Sequence, residues 1–372
     1  MKILHWAAIL SMLAFVGSLM AAAPENLDSF LEPIRALNHF PALAAAVVRG
    51  NQTVAIGAIG MRKSGGTETV TLDDKFHIGS CTKSMTATLA AVMVEQGKIK
   101  WSTTIADVFP ELKNVMHEDY RSVTLEQLLS HRGGVPADLN ADGLWKRLWM
   151  RQGIPRQQRM NLLQGVVMKA PAAKPGTKYI YANGGVAIAG AMLEQTLNKD
   201  WETLITEMLF KPLGMNSVGF GAPGTAGKED QPWGHVKKGE TITPRPPGPM
   251  TDNPPAIAPA GTVHCSVGDL AKYVAFHAHH QSPLLKSESF SKLHSPEPGQ
   301  EYGFGWIVVD RPWGGGQVLT HAGSNTMNYT IVWIAPNKDF GVIVETNIAG
   351  DGVGAACDRI VGELIQKYLL KN

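Results

Sequence analysis

Sequence patterns typical of β-strands lie at the two ends of this 372-residue chain. Near the N-terminus, ALAAAVVRGNQTVAIGAIG contains two short apolar runs joined at Gly50-Asn51, a pair typical of a hairpin turn. Near the C-terminus, four β-rich runs follow one another between turn residues: YGFGWIVVD, GQVLTHAG, YTIVWIA and FGVIVETN. Because strands distant in sequence can share one sheet, we predict an antiparallel sheet made from both ends of the chain.

Between these ends, the chain has the spacing of helices. From Ser84 to about Tyr273, helical patterns alternate with Gly/Pro punctuation, and another helix closes the chain at roughly Gly354 to Leu370. With 44% hydrophobic residues, the chain can bury a large core. We therefore predict an α/β (α+β) fold, with helices flanking the sheet and a large, mostly helical insertion. The expected single domain covers 24–372, with a sheet part at about 26–75 and 300–372 and a helical part at about 84–275.

The first 23 residues have the composition of a secretory signal peptide. MKILHWAAILSMLAFVGSLMAAAPENL has one lysine, then an apolar run, then small residues at Ala21, Ala22 and Ala23. An uncleaved anchor is the alternative, but the run is short for a spanning helix and no later run reaches that length. We expect an exported protein, periplasmic or extracellular, with no membrane segment beyond the signal.

Charge and cysteine content exclude several classes of protein. With 34 basic and 32 acidic side chains, the net charge of +2 provides no long-range field for nucleic acid or an anionic membrane. Cys81, Cys265 and Cys357 are too few and too scattered for a disulfide framework or a metal knuckle, so we expect buried thiols. No nucleic-acid partner and no cofactor are expected.

One short stretch contains a serine and a lysine at a spacing that suits nucleophilic catalysis. KFHIGSCTKSMTATLAAVMVEQGK places Ser80 and Lys83 three residues apart in the first turn of a predicted helix, so their side chains share a face. A partly desolvated lysine can activate a serine hydroxyl, and the helix N-terminus favours an oxyanion beside Ser80. The same spacing recurs at Ser289 and Lys292, where nothing nearby suggests a site, so the pair needs support from elsewhere.

A second candidate is Tyr181-Ala182-Asn183, the only Tyr-x-Asn in the chain, just before a small-residue helix. A phenol near a lysine cation can have its pKa lowered and relay a proton. The Asn183 amide can orient a substrate carbonyl or the lysine itself. The alternative for Tyr181 is a packed aromatic side chain.

A third candidate is His321-Ala322-Gly323, at the end of a predicted strand. His-x-Gly also occurs at His131-Arg132-Gly133, so context must separate the two. Gly323 permits close backbone approach, and the Ser324 N–H could complete an oxyanion hole. A capped surface imidazole is the alternative for His321.

Two further stretches have less specific patterns. FHAHH brings His277, His279 and His280 together, with the first and last on one helical face, but no acidic or cysteine ligand lies at suitable spacing and we expect no metal site. TPRPPGPMTDNPPAIAPAG has the composition of a long ordered loop near a site, or of a plain surface excursion.

Taken in order, Ser80-x-x-Lys83, Tyr181-x-Asn183 and His321-x-Gly323 resemble the motifs of the serine β-lactamase and penicillin-binding-protein superfamily. The match is to its branch of class C β-lactamases, S12-type D-alanyl-D-alanine carboxypeptidases and related esterases. Six further phrases resemble that branch: FHIGSCTK, LEQLLSHRGGVP, KPGTKYIYAN, LFKPLGM, PAGTVHCSVGDLAKY and YGFGW.

The resemblance implies a role for each motif residue. Ser80 would be acylated, Lys83 and Tyr181 would share proton transfers, and Asn183 would hold the substrate. Backbone N–H groups of Ser80 and Ser324 would form the oxyanion hole, with His321 and Gly323 lining the substrate site. His131 would be structural, in the loop leading to the cleft.

One departure bears on substrate choice. The branch's β-lactamases usually carry Lys-Thr-Gly where this chain has His321-Ala322-Gly323, and a histidine of ordinary pKa is mostly neutral at pH 7. We therefore expect an exported serine hydrolase acting through an acyl-enzyme on a small ester, β-lactam or short peptide, with an ester or peptide favoured. The alternative is a penicillin-binding sensor or scaffold of the same fold without turnover.

Overall fold

The computed structural model describes residues 22–371. Strands near the N-terminus and strands near the C-terminus belong to one sheet, as the sequence predicts. Within the described residues the strands are β1 Glu25–Asn26, β2 Ala42–Arg49, β3 Gln52–Gly60, β4 Lys75–His77, β5 Gly219–Phe220, β6 Gly234–Lys238, β7 Thr241–Arg245, β8 Val263–Ser266, β9 Ile307–Arg311, β10 Gly316–Ser324, β11 Tyr329–Ala335, β12 Phe340–Thr346 and β13 Ile348–Gly350.

The main sheet has the order β1-β3-β2-β12-β11-β10-β9. All its pairings are antiparallel except the short β1–β3 contact. The seam between the chain ends is the β2–β12 pair, in which Arg49 lies opposite Phe340 and Leu43 opposite Thr346. The prediction of an antiparallel sheet built from both ends of the chain is confirmed.

Both faces of the central strands are covered, which explains their continuous apolar runs. On β2, Ala44 and Ala46 pack into the core shared with the helical insertion, whereas Leu43 and Val47 pack into the core on the opposite face. Helix α11 covers the first face and helices α1 and α13 the second.

The helices in the described residues are α1 Asp28–Leu37, α2 Thr82–Glu95, α3 Ile105–Val108, α4 Glu118–Arg121, α5 Leu125–Leu129, α6 Leu144–Trp149, α7 Pro155–Val167, α8 Asn183–Leu197, α9 Trp201–Ile205, α10 Ala258–Gly261, α11 Val267–His279, α12 Ser287–Leu293 and α13 Val353–Ile365. Most lie in the insertion between the two halves of the sheet. The insertion also contains strands, since β8 pairs with both β4 and β5, and β6 and β7 form a hairpin beside β13. These strands have two to five residues, too few for a clear period-two pattern.

The expected signal peptide at 1–23 lies almost wholly outside the described residues. From residue 22 to residue 371, no helix is long and apolar enough to cross a membrane.

Candidate active site

Ser80 lies in a tight turn between β4 and α2. A single 3-10 turn, Gly79–Cys81, joins the strand to the helix, and α2 begins at Thr82. The helix is buried along most of its length, so its first turn is fixed by packing. Lys83 is 1% exposed, and its Nζ donates to Ser80 Oγ at 2.8 Å. The structure thus brings the two residues into direct contact.

The environment of Lys83 favours the neutral amine. Its second hydrogen-bond acceptor is the carbonyl oxygen of Ala260, at 2.7 Å from Nζ, and among the described residues no carboxylate lies within ion-pair distance of it. Burial disfavours the charged form and lowers the pKa of Lys83 to about 7. A large fraction of Lys83 can therefore accept a proton at neutral pH.

Tyr181 lies beside Ser80 and Lys83, two residues before helix α8. Its hydroxyl is hydrogen-bonded to the Ser80 side chain, and Lys83 Nζ lies 4.8 Å from the centre of its ring. Burial raises the pKa of the Tyr181 phenol. The expectation that this pKa is lowered is wrong, because burial of the phenol outweighs the interactions that favour its charged form. Tyr181 therefore carries its proton at neutral pH.

Asn183 is the first residue of α8 and is half-buried. The structure gives its amide no hydrogen bond to Lys83, whose Nζ donates to Ser80 and Ala260. Of the two uses predicted for this amide, orienting the lysine is therefore not observed.

His321 is a buried residue of β10 whose ring is held at both nitrogens. Nδ1 lies 2.6 Å from the Ala322 carbonyl oxygen and so carries the proton, which leaves Nε2 to accept from the Tyr302 hydroxyl at 3.4 Å. Burial, reinforced by the charge of Lys83, lowers the pKa of His321 to about 4. The imidazole is therefore neutral at pH 7.

The end of β10 contacts the Ser80 turn backbone to backbone. A Cβ on Gly323 would lie 1.9 Å from the Ile78 carbonyl oxygen and 2.8 Å from the Ser80 nitrogen. A Cβ on Gly79, whose φ is +50°, would lie 2.2 Å from the Ser324 nitrogen. Only glycines permit this approach. It brings the backbone nitrogens of Ser80 and Ser324 to the same small region.

Two further rings, those of His131 and Tyr302, lie close to Tyr181, and the sequence analysis did not predict these contacts. The His131 ring lies 4.5 Å from the Tyr181 ring, centre to centre, and its Nδ1 accepts from the Ala182 N–H at 3.2 Å. Tyr302, from the YGFGW phrase, contacts His131 and His321. The position of His131 agrees with the structural role that the family resemblance implies.

A cleft of about 480 Å³ opens beside Tyr302. Tyr179 and Ile307 give it apolar surface, and Gln300 and Glu301 give it polar surface. Among the described residues that line this cleft there is no lysine or arginine.

Other candidate residues lie away from this cluster. Ser289 Oγ donates to Glu95 and Lys292 Nζ donates to Glu126, so the second Ser-x-x-Lys pair is not mutually bonded. His277 Nδ1 lies 2.9 Å from His294 Nε2, and no three metal-ligand side chains converge in the part of the chain that the structure describes.

The three cysteines are free and buried, as expected: Cys81, Cys265 and Cys357. Cys81 Sγ donates to the His321 carbonyl oxygen at 3.5 Å.

The proline-rich stretch is an ordered segment against the site. It contains α10 and supplies the Ala260 carbonyl that binds Lys83 and the Pro259 carbonyl that binds Thr86. The segment thus packs against the candidate site and is not a plain surface excursion.

Comparison with known proteins places the chain among related sequences over nearly its whole length. The model of the Beta-lactamase family matches residues 27–365. The chain is 25% identical over 331 residues to penicillin-binding protein 4 of Amycolatopsis lactamdurans, covering 85% of this chain and 83% of that protein. It is 26% identical over 352 residues to unguisins hydrolase ungD' of Aspergillus campestris, covering 89% of this chain but only 62% of the relative.

Among solved structures, the octameric penicillin-binding protein homologue from Pyrococcus abyssi has a TM-score of 0.73 and 23% sequence identity. The similarity covers 92% of this chain and 78% of that one. At this identity, the comparison shows a shared fold.

Proposed function

The chain belongs to the β-lactamase family, and on that premise we propose that it is a serine hydrolase that works through an acyl-enzyme on Ser80. The observation that carries the proposal is the contact at 2.8 Å between Ser80 Oγ and a buried Lys83 whose pKa is lowered to about 7. A neutral amine at that distance can take the serine proton as the oxygen attacks a carbonyl carbon.

Proton transfers then follow from the protonation states of the neighbouring groups. Lys83 takes the Ser80 proton and becomes an ammonium. Tyr181, a phenol bonded to Ser80, gives its proton to the leaving group and regains one from Lys83. Water then attacks the acyl carbon and gives a proton to the same pair. The pair returns that proton to Ser80 Oγ as the bond between Oγ and the acyl carbon breaks and the acid is released. The backbone N–H groups of Ser80 and Ser324 stabilise the oxyanion in both steps.

The substrate class follows from the charges beside Ser80. Since burial lowers the pKa of His321 to about 4, this residue offers no permanent cation to a substrate carboxylate. The neighbouring cleft contains the carboxylate of Glu301 and is partly apolar through Tyr179 and Ile307. These features favour a neutral ester, or a peptide bound by other contacts, over an anionic β-lactam. Asn183 is proposed to bind the substrate carbonyl, and His321 and Gly323 to line its site.

Export is part of the proposal, with a signal peptide over 1–23 and a periplasmic or extracellular mature enzyme over 24–372. Its test is the N-terminal sequence of the secreted protein. An N-terminus beginning at residue 1 in the cytoplasmic fraction would contradict export.

Intact-mass spectrometry of the purified protein tests the activity. The protein is incubated separately with a chromogenic cephalosporin and a short-chain p-nitrophenyl ester, and product release is followed in parallel. We expect ester turnover with a transient adduct on Ser80, and loss of both in Ser80→Ala. Ser289→Ala is the matched control, because Ser289 belongs to the other Ser-x-x-Lys sequence. We expect this substitution to leave the reaction unchanged.

Two outcomes would contradict the proposal. Labelling retained in Ser80→Ala would exclude Ser80 as the nucleophile. A persistent Ser80 adduct without product release would indicate the alternative function, a penicillin-binding sensor without turnover.

A further inference from the structure

A buried histidine and a buried aspartate meet directly beneath the Ser80 turn. His77 ends β4, three residues before Ser80, and Asp252 lies in the proline-rich segment. His77 Nε2 and Asp252 Oδ1 are 2.8 Å apart, and their side chains are 0% and 2% exposed. The sequence analysis singled out neither residue. Neither of them is hydrogen-bonded to Ser80 Oγ, which accepts from Lys83.

The hydrogen bonds define the state of the imidazole. The Gly79 N–H donates to His77 Nδ1 at 3.1 Å, so Nδ1 carries no proton. The proton is then on Nε2, which lies 2.8 Å from Asp252 Oδ1. The imidazole therefore contacts a carboxylate through Nε2, and its Nδ1 holds the backbone of the residue immediately before Ser80.

Asp252 also joins segments on the far side of the site. The Asn325 amide donates to the same oxygen, Oδ1, at 3.4 Å, and Asn325 follows Ser324 directly. Arg151 donates to the Asp252 main-chain carbonyl. In the same segment, Ala260 accepts from Lys83. One carboxylate is therefore linked to both backbone segments that we assign to the oxyanion hole.

We propose that His77 and Asp252 are positioning residues that hold the Ser80 turn against the segment carrying Ser324. This inference rests on the proposed function, since it concerns the geometry of that same site. The pair acts through Gly79 and Asn325, and neither side chain lines the cleft beside Tyr302. Because both acylation and deacylation pass through an oxyanion, its loss should lower the rates of both steps and leave substrate affinity largely unchanged.

The test compares Asp252→Ala, His77→Ala and the double variant with the wild-type chain, using the p-nitrophenyl ester. Active sites are counted by the burst of product, so that kcat refers to folded molecules. We expect kcat to fall on the order of 10- to 100-fold in each single variant, with KM within about threefold, because small misplacements of reacting groups cost this much. The double variant should be no slower than the slower single variant, since the two residues act as a unit.

Conservative variants separate positioning from a general loss of stability. Asp252→Asn keeps an oxygen for the His77 proton, and the Asn325 amide favours that orientation, so we expect kcat within about threefold of wild type. His77→Asn keeps an acceptor for the Gly79 N–H but cannot reach Asp252, and should lose activity like His77→Ala. These variants also keep the test valid if an alanine variant fails to fold.

His235→Ala is the matched control. His235 is equally buried and also accepts from a backbone N–H, that of Ser64 at 2.9 Å, but its other ring nitrogen contacts the Asn347 carbonyl oxygen at 2.8 Å instead of a carboxylate. It should lose thermal stability without a selective fall in kcat per active site.

The outcomes distinguish this inference from the proposed function. If wild type forms the Ser80 adduct but Asp252→Ala keeps its kcat, or the two single effects multiply in the double variant, the positioning role is wrong and the hydrolase proposal stands. If wild type forms no Ser80 adduct, both are wrong.

Discussion

Lys83 donates a hydrogen bond of 2.7 Å to the carbonyl of Ala260, a residue 177 positions later in the chain. The group proposed to activate Ser80 is thus held by the proline-rich segment as well as by its own helix. Because that contact replaces water with a neutral carbonyl, it solvates the amine without stabilising a charge as a carboxylate would. The pH dependence of the proposed reaction depends on this environment.

The pH dependence of acylation should follow Lys83. We expect kcat/KM for a neutral ester to rise as pH increases through about 7 and to reach a plateau above it, because the amine must be neutral to accept the Ser80 proton. His321, whose pKa is lowered to about 4, is already neutral over this range, and burial keeps Tyr181 protonated. The measurement is a kcat/KM profile from pH 5 to 10.

Lys83→Arg is the control for that profile, because a guanidinium stays protonated and cannot accept the proton. It should lose both the activity and the inflection near neutrality. A wild-type rate that does not change between pH 6 and 8 would contradict the assignment of the base.

The contact between Gly323 and the Ser80 turn can be tested by adding one methyl group. In Gly323→Ala, the new Cβ would meet the Ile78 carbonyl oxygen at 1.9 Å, so the two backbones must separate. We expect kcat to fall roughly 100-fold or more, the usual effect of losing an oxyanion-hole donor. Steady-state kinetics with burst titration measures this.

Gly362→Ala is the matched glycine control. Gly362 lies in helix α13, where a new Cβ meets nothing within 4 Å. Alanine in a helix is slightly favourable, so stability and kcat should be kept. Normal kcat in Gly323→Ala would show that this contact does not shape the site.

Glu345, in the central strand β12, should make stability dependent on pH. Burial raises the pKa of its carboxyl well above the usual range, so the folded chain holds this proton more tightly than the unfolded chain does. The stabilising contribution is complete below the unfolded pKa and is lost as pH rises toward the folded value. Glu345→Gln should therefore be more stable than wild type by at least about 1 kcal/mol at pH 8, with a smaller difference at pH 5.

Urea denaturation of both proteins at the two pH values measures this effect. The result to look for is the difference between the pH values, because any packing change in the variant contributes equally at both. An equal difference at pH 5 and pH 8 would contradict the raised pKa.

A buried ion cluster joins the insertion to the proline-rich segment. Arg159 donates to Glu194 and Glu202 and to the Pro255 carbonyl. Arg159→Ala leaves the 1%-exposed Glu194 carboxylate without its cation, and we expect a loss of about 3–5 kcal/mol in the free energy of unfolding. Chemical denaturation checks the value.

The control for that cluster is Arg156→Ala in the same helix. Among the residues that the structure describes, Arg156 bonds only to the exposed Asn198 and Gln195, so the change should stay within about 0.5 kcal/mol. A loss in Arg159→Ala as small as this would contradict the cost assigned to the unpaired carboxylate.

The sheet could be predicted because its five long strands, β2, β3, β10, β11 and β12, have seven to nine residues and clear apolar patterns. The hairpin β6–β7 could not be predicted, because its strands have five residues each and are partly exposed. With so few buried positions, the sequence shows no clear alternation of apolar and polar residues. The segment YGFGWIVVD is also only half strand, since β9 begins at Ile307 and Tyr302 instead turns toward His321.

In the site, local spacing was sufficient to bring Ser80 and Lys83 together, because a helix fixes the i, i+3 relationship. The Ala260 carbonyl and the His77–Asp252 pair depend on tertiary contacts across more than 170 residues, which no local pattern encodes. The direction of the Tyr181 pKa shift was wrong for a related reason. Its sign depends on how deeply the phenol and Lys83 are both buried, and burial was not visible in the motif.

The seam between β2 and β12 also determines when the site can first exist. As the ribosome adds residues from the N-terminus, the Ser80 turn emerges 240 positions before the strand that holds it, counted from the contact between Cys81 and His321. Strand β10 reaches the N-terminal hairpin only through β11 and β12, so the sheet closes after nearly all of the chain has been made. In a nascent chain, Ser80 therefore lacks the β10 backbone that contacts its turn. We expect Ser80 to become reactive only at the last stage of folding.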